Sequence, residues 1–119
     1  EEPWERIGPS PLPAGPGWSA PAVLDPSGIE RVVQRFVDAA VRADRAGFDV
    51  VELHFGHGYL VASFLSPSSN QREDDWGGSL DKRMRLALDI ARAVRAVWPA
   101  HKPMSVRISA TDWAAPGTS

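Results

Sequence analysis

The chain has 119 residues, of which 43% are hydrophobic and 24% are charged, a composition typical of a globular domain rather than of a fibre or a disordered tail. Its 13 lysines and arginines are scattered among 15 acidic residues, for a net charge of −2, so the basic stripe of a nucleic-acid-binding protein is absent. The sequence contains no cysteine, which excludes disulfides, thiolate catalysis and sulfur-bound metals.

Membrane insertion and secretion are not expected. No apolar stretch approaches the ~20 residues that a membrane-crossing helix needs, and the first residues lack the basic and apolar parts of a secretory signal. We therefore expect a cytoplasmic protein with neither a membrane nor a nucleic acid as partner. Because the chain begins without methionine, we also expect its ends to be truncations of a longer protein.

Residues 1–27 are predicted to form a proline-rich irregular loop. They hold seven of the eleven prolines, and proline fixes φ and removes a backbone donor. A long irregular segment of this kind is typical of a binding loop. The remainder, residues 28–119, is predicted to form the central βα segment of an incomplete α/β domain.

A helix is predicted to begin at Ser27, because Ser27 and Glu30 have the spacing of a capping box. Its apolar positions repeat every three or four residues, namely Ile29, Val32, Val33, Phe36, Val37, Ala40 and Val41. Gly47 is the predicted left-handed cap. A buried strand is predicted over residues 48–53, which are short, bulky and rich in β-branched side chains.

A loop is predicted to run from the first strand to Ser79, with one or two helical turns over residues 59–65. Ser79 is the predicted cap of a second long helix, with Asp81 in its first turn, and Pro99 is predicted to end it at Trp98. Its predicted apolar face comprises Leu80, Met84, Ala87, Leu88, Ala91, Val94 and Trp98. A strand is predicted over residues 104–109, with Val106 and Ile108 on a packed side.

Two strands joined by a helix of about 20 residues are expected to be parallel. Ligand sites in α/β folds lie at the carboxyl ends of parallel strands. His54, His57 and Tyr59 follow the first predicted strand, and Arg107 lies near the end of the second. Two imidazoles, a phenol and a guanidinium at one edge suit a substrate oxygen that becomes negative during reaction.

Simpler interpretations compete with this one. A lone histidine after a strand is usually structural, Tyr59 is compatible with a core position, and Arg107 with an ion pair. The segment His54-Phe55-Gly56-His57 lacks the glutamate of a zinc-binding His-Glu-x-x-His motif, so no metal site is predicted. The run of residues 72–75 is more typical of a solvated loop, and Gly77-Gly78 of a turn.

Three long motifs resemble the old yellow enzyme family, in the order in which that family carries them. Residues 46–60, AGFDVVELHFGHGYL, resemble the family's fourth strand and the loop that follows it. Residues 64–72 and 74–79, together with Arg83, continue the match. Residues 106–113, VRISATDW, resemble the fifth strand in the subgroup that includes bacterial xenobiotic reductases.

The resemblance implies an FMN enzyme on a TIM (β/α)8 barrel that takes hydride from NADPH or NADH and reduces activated C=C bonds of α,β-unsaturated carbonyl compounds. By motif position, His54 and His57 would hydrogen-bond the carbonyl oxygen and Tyr59 would deliver a proton to the α-carbon. Arg107 would lie beside the flavin pyrimidine ring. The chain would then contain about strands 4 and 5 with their helices, preceded by the proline-rich loop, and the full-length parent is compatible with an oligomer.

Two alternatives remain open at this point. A complete barrel needs about 250 residues, so the isolated chain would be an inactive, non-catalytic barrel fragment with unpaired sheet edges. A barrel binding module that has lost its activity is the other alternative. It is suggested by Trp76 and Lys82, which stand where the family usually has Tyr and Asn. Glu73 also departs from the family pattern, at a position where Thr is common.

Overall fold

The computed structural model describes residues 4–114. Its elements are strands β1 (Ile7–Gly8) and β2 (Ala22–Val23), helix α1 (Pro26–Arg45), strand β3 (Val51–Phe55), helix α2 (Leu60–Leu65), helix α3 (Leu80–Val97) and strand β4 (Met104–Ile108). From α1 onward, the predicted order of elements is confirmed. Within residues 4–114, no helix is both long and apolar enough to cross a bilayer.

The N-terminal segment contains more regular structure than its prolines predict. Strands β1 and β2 form a two-residue parallel ladder, with Ile7 opposite Ala22 and Gly8 opposite Val23. Pro9 follows β1 and Pro21 precedes β2, so these prolines flank the ladder without removing a donor from it.

Helix α1 begins with a different cap from the predicted one. The Asp25 carboxylate accepts hydrogen bonds from the Gly28 N–H at 2.7 Å and from the Ser27 hydroxyl at 3.0 Å, and these bonds lower the pKa of the Asp25 carboxyl. The predicted capping box of Ser27 and Glu30 is therefore wrong. Pro26 occupies the first helical position, which suits proline because its missing N–H would be unpaired there, and the cap moves to the preceding residue.

The end of α1 also determines where β3 starts. Gly47, at φ 89°, has the predicted left-handed conformation. Its N–H donates to the Asp44 carbonyl at 3.0 Å, and the Phe48 N–H donates to the Ala43 carbonyl at 3.1 Å, which is a Schellman motif. Because Phe48 completes the helix end, the strand begins only at Val51, and the predicted strand at 48–53 is displaced toward the C-terminus.

Strands β3 and β4 are hydrogen-bonded neighbours and run parallel, as predicted. Leu53 lies opposite Val106, and Phe55 lies opposite Ile108. Leu53 and Phe55 are buried, and Phe55 makes an edge-to-face contact with Phe36 of α1 at a centroid distance of 6.2 Å. Since side chains alternate along a strand, the side of β3 that carries Leu53 and Phe55 packs in the core, and the opposite side carries polar residues.

Helix α3 has two apolar faces, of which the sequence pattern predicted only one. The side chains of Leu86, Ile90 and Val94 are fully buried in the core, but Leu86 and Ile90 were not in the predicted face. Leu80 and Leu88, which were, are 57% and 41% exposed. Val94 and Trp98 of the predicted face are buried in the core, as predicted. The other five residues of that face line an open groove, namely Leu80, Met84, Ala87, Leu88 and Ala91.

The same groove exposes the side of β4 that was predicted to be packed. Val106 and Ile108 are 43% and 61% exposed, and they line the groove together with Leu88 of α3. Strand β4 is paired on one edge only within residues 4–114. The prediction of a packed face is therefore wrong for the described part of the chain, because the hydrophobic core that buries Leu53 and Phe55 of β3 does not extend over Val106 and Ile108 of β4.

The loop between α2 and α3 holds the N-terminal segment in place through Arg72. Its guanidinium donates to the backbone carbonyls of Leu24 at 2.6 Å and Pro9 at 3.1 Å, and it forms an ion pair with Asp74. This pairing lowers the pKa of the Asp74 carboxyl. The Arg72 side chain is only 7% exposed, so the predicted solvated loop is wrong at this residue.

Lys102 joins the two segments that lead into the parallel strands. Its ammonium group donates to the Asp44 carboxylate and to the Phe48 carbonyl, both at 2.8 Å, and lies 5.3 Å from the ring centroid of Trp98. Trp98 is 2% exposed, and its indole N–H donates to the Pro103 carbonyl at 3.0 Å. The starts of β3 and β4 are thereby held side by side.

We expect Lys102→Met to lower the free energy of unfolding of the full-length protein by about 1–2 kcal/mol, because it removes two charge-assisted hydrogen bonds from a side chain that is 17% exposed. Lys82→Met is the matched control. Lys82 is 48% exposed and lies 3.9 Å from Asp75, so its loss should cost less than about 0.5 kcal/mol. Urea denaturation measures both, and equal effects of the two substitutions would contradict the role of Lys102.

Candidate active site at the strand ends

The polar face of the two strands presents His54 and Arg107 side by side. His54 lies within β3, directly opposite Arg107 of β4 in the parallel ladder. The prediction that His54 follows the strand is therefore corrected to a position inside it. Two residues earlier, the Ser105 hydroxyl donates to the Glu52 carboxylate at 2.8 Å. All four residues are exposed, so this face is open to solvent.

A tight turn reverses the chain immediately after β3. The Tyr59 N–H donates to the Gly56 carbonyl at 3.3 Å, and both central residues have positive φ, 59° for His57 and 72° for Gly58. Positive φ at both central positions is the property of a type I′ turn. The turn sends the chain back over the strand that it has just left.

This reversal brings three aromatic rings together. The centroid of the His54 ring lies 4.9 Å from that of His57 and 5.6 Å from that of Tyr59, both in edge-to-face orientation. Tyr59 is 67% exposed, and both histidines are exposed as well. The imidazole N–H groups and the phenol O–H are hydrogen-bond donors at neutral pH, so the cluster can bind an oxygen that carries partial negative charge.

Tyr59 is held at the start of a well-anchored helix. It is the N-terminal cap residue of α2, and its carbonyl accepts from the Ser63 N–H at 2.8 Å. The side chains of Val61 and Phe64 are buried in the core. The backbone of Tyr59 is therefore held by the packing of α2, and the position of the phenol depends on the side-chain torsions of Tyr59.

The four predicted site residues thus lie on one edge of one sheet face. His54, His57 and Tyr59 form the ring cluster, and Arg107 is the ladder partner of His54. The prediction that the two strand ends open onto a common edge is confirmed. The chemical role of each residue stays a prediction.

Sequence reasoning missed the contacts that connect the segment after β4 to the turn and to the end of α2. The Ser109 hydroxyl oxygen accepts from the His57 N–H at 2.9 Å, and the Asp112 carboxylate accepts from the Ser66 hydroxyl at 2.5 Å. Ser109 continues the polar side of β4, at a spacing of two from Arg107, which is the one signal that placed it on this face. Its partner lies 52 positions away, and no local pattern indicates that pairing.

Known proteins that resemble this chain in sequence and in structure are oxidoreductases. The family model of the NADH:flavin oxidoreductase / NADH oxidase family matches residues 12–119. The chain is similar to an NADPH dehydrogenase of Geobacillus thermodenitrificans, at 46% identity over 113 residues, or 95% of this chain and 33% of that protein.

Two solved structures resemble the described fold. The first is morphinone reductase in complex with tetrahydroNAD, with a TM-score of 0.82 at 31% identity over 88% of this chain and 33% of that one. The second is the old yellow enzyme homologue from Zymomonas mobilis, with a TM-score of 0.82 at 30% identity over 88% of this chain and 32% of that one. The chain therefore spans about one third of the length of these relatives.

We expect Gly56→Ala to disturb the junction of the two strand ends. A Cβ at this position would lie 3.3 Å from both the backbone N and the hydroxyl oxygen of Ser109. Such overpacking, partly offset by reduced backbone entropy, should lower the free energy of unfolding by about 1 kcal/mol.

Gly15→Ala is the control for this substitution, because its Cβ would meet only the Trp18 ring, at an ordinary 3.8 Å. Denaturation midpoints of the two full-length variants make the comparison. If the denaturation midpoints of the two variants are the same, the close approach at Gly56 does not constrain the strand ends.

Proposed function

The chain belongs to the NADH:flavin oxidoreductase / NADH oxidase family, and from this premise we propose that it is the central part of an FMN-dependent enzyme that reduces activated C=C bonds of α,β-unsaturated carbonyl compounds with NADPH or NADH. The family resemblance predicted from the sequence motifs is confirmed. Membership of a flavin oxidoreductase family supports FMN as the cofactor and a nicotinamide nucleotide as the reductant.

We assign β3 and β4 to the fourth and fifth strands of a TIM barrel. This assignment is supported by the likeness to old yellow enzyme structures, which the chain matches over one third of their length. It is also supported by the parallel pairing of β3 with β4, two strands that are connected along the chain through α3. The remaining strands would come from parts of the protein outside this chain. For that reason we expect the isolated 119-residue chain to be inactive.

The observation that carries the proposal is the clustering of three aromatic hydrogen-bond donors beside a guanidinium. When bound, FMN would supply the hydride that passes to the β-carbon of the substrate. Negative charge then moves onto the carbonyl oxygen, and donors that are already oriented toward it stabilise that charge. His54 and His57, 4.9 Å apart at their ring centroids, are the pair that we propose for this oxygen.

Arg107 is the residue that we propose to lie beside the flavin. Within residues 4–114 it forms no ion pair, and it is exposed on the polar face beside His54. An arginine is always protonated at physiological pH. A free positive charge at this position suits the pyrimidine ring of FMN, where it would favour the anionic reduced form.

Tyr59 is the proposed proton donor to the α-carbon. A tyrosine phenol carries an O–H proton that it can donate, so it can act as a general acid. Its ring lies 5.6 Å from that of His54, on the same edge as the carbonyl-binding pair. Proton delivery and charge stabilisation would then occur on one bound substrate without movement of the backbone.

The proposed activity is tested on the full-length protein. We expect a yellow FMN complex that oxidises NADPH when cyclohexenone is supplied. Tyr59→Phe should leave flavin reduction by NADPH unchanged but slow the reoxidation by cyclohexenone about 100-fold, as measured by stopped-flow absorbance. A colourless protein that neither binds FMN nor oxidises NADPH would reject the proposal, and full activity in Tyr59→Phe would reject the role of the phenol.

The role of His57 can be measured without turnover. Phenols should bind in place of the carbonyl substrate and produce a long-wavelength charge-transfer band with the flavin. Removal of one such donor in His57→Ala should weaken phenol binding by about 100-fold, equivalent to about 3 kcal/mol, with FMN still bound. His101→Ala is the matched control, because His101 lies in the turn before β4, at the opposite end of the strands. An unchanged phenol affinity in His57→Ala would refute the assigned role.

A further inference from the structure

We propose that Ser109 is a positioning residue for the active site, which acts by holding His57 in the conformation that lets its ring lie beside that of His54. The inference rests on the proposed function and deepens it, because it assigns a role to a residue that does not itself belong to the donor cluster. The hydroxyl oxygen of Ser109 accepts from the backbone N–H of His57 at 2.9 Å.

His57 needs such support because its backbone conformation is unfavourable. Its φ of 59° lies in the left-handed region, where the Cβ of an L-residue approaches the following carbonyl oxygen. The single hydrogen bond that closes the turn, from Tyr59 to Gly56, is long at 3.3 Å. A partner from outside the turn therefore adds stability where the local sequence supplies little.

Ser109 is well placed to act as that partner, because the sheet itself fixes its position. It directly follows Ile108, the last residue of β4, which is the ladder partner of Phe55. Gly56 lies next to Ser109 at the following step, and a Cβ at Gly56 would lie only 3.3 Å from the Ser109 backbone N and hydroxyl oxygen, so the absence of a side chain there allows the close approach of the two segments. The position of the serine hydroxyl is thus set by strand pairing rather than by the turn that it supports.

The consequence is that the residue following β4 controls the geometry of the donor pair, of which His54 lies on β3 and His57 in the turn after it. The ring distance of 4.9 Å between His54 and His57 depends on the left-handed turn, and the hydroxyl of Ser109 favours that turn over other backbone conformations. Without it, a smaller fraction of the protein would present both imidazoles to one oxygen. Loss of the Ser109 hydroxyl should therefore weaken ligand binding when His57 is present and should have little effect when His57 has been removed.

The test is a phenol titration of the full-length FMN protein in two backgrounds. We expect Ser109→Ala to raise the Kd for phenol about 3- to 10-fold when His57 is present, and less than 1.5-fold in the His57→Ala background, because coupled residues are not additive. Ser105→Ala is the matched control. Ser105 lies on the same strand and the same face, but its hydroxyl donates to Glu52, so its Kd should stay unchanged.

A second pair of variants separates the hydroxyl from the shape of the side chain. Thr and Val at position 109 have nearly the same volume, but only Thr keeps the hydroxyl. We expect Ser109→Thr to retain the wild-type Kd and Ser109→Val to match Ser109→Ala. Hydrogen exchange of the His57 amide, a readout that needs no flavin, should be at least 5-fold faster in Ser109→Ala and Ser109→Val than in Ser109→Thr.

Equal effects of Ser109→Ala in the two backgrounds would overturn the inference, as would an unchanged Kd in Ser109→Ala or identical behaviour of the Thr and Val variants. These outcomes leave the proposed function intact, since the wild-type protein still binds FMN and phenol. A wild-type protein that binds neither would instead overturn the proposed function, and the positioning role in catalysis with it.

Discussion

The parallel pairing of β3 with β4 is the constraint on which the candidate site depends. In this ladder His54 lies opposite Arg107, and the next positions, Gly56 and Ser109, approach within contact distance. A shift of one residue in register would turn either strand's polar side chains toward the helices. The relative positions of the imidazoles, the guanidinium and the turn therefore all depend on one set of backbone hydrogen bonds.

The two ends of the β3–β4 pair differ in burial and in the chemistry of their side chains. At the amino end, Lys102 and Trp98 join the segments that enter the strands, through contacts with little exposure to solvent. At the carboxyl end, the side chains of His54, His57 and Tyr59 are exposed and form no large core. This separation is typical of TIM barrels, where stability is concentrated at the amino-terminal face and chemistry at the carboxyl-terminal one.

Much of the fold could be predicted from the sequence because its signals are local. The apolar period of α1, the cap at Ser79, the left-handed Gly47 and the stop at Pro99 each depend on residues within a few positions of one another. The motifs around His54, Tyr59 and Arg107 indicated the family in the same way. Two of the errors were also local, since Pro26 moved the cap of α1 to Asp25 and the end of α1 displaced the start of β3 to Val51.

From α1 onward, the sequence by itself determined the element types, their order and the residue types available for chemistry, because these follow from short-range backbone preferences and side-chain identity. Only the tertiary structure decided which face of α3 forms the core, since its two apolar faces overlap in periodicity and packing alone separates them. It also decided that Arg72 is buried and that the Ser109 hydroxyl accepts from the His57 N–H. Those contacts join residues about 50 positions apart, and only the pairing of strands and the packing of loops brings such residues together.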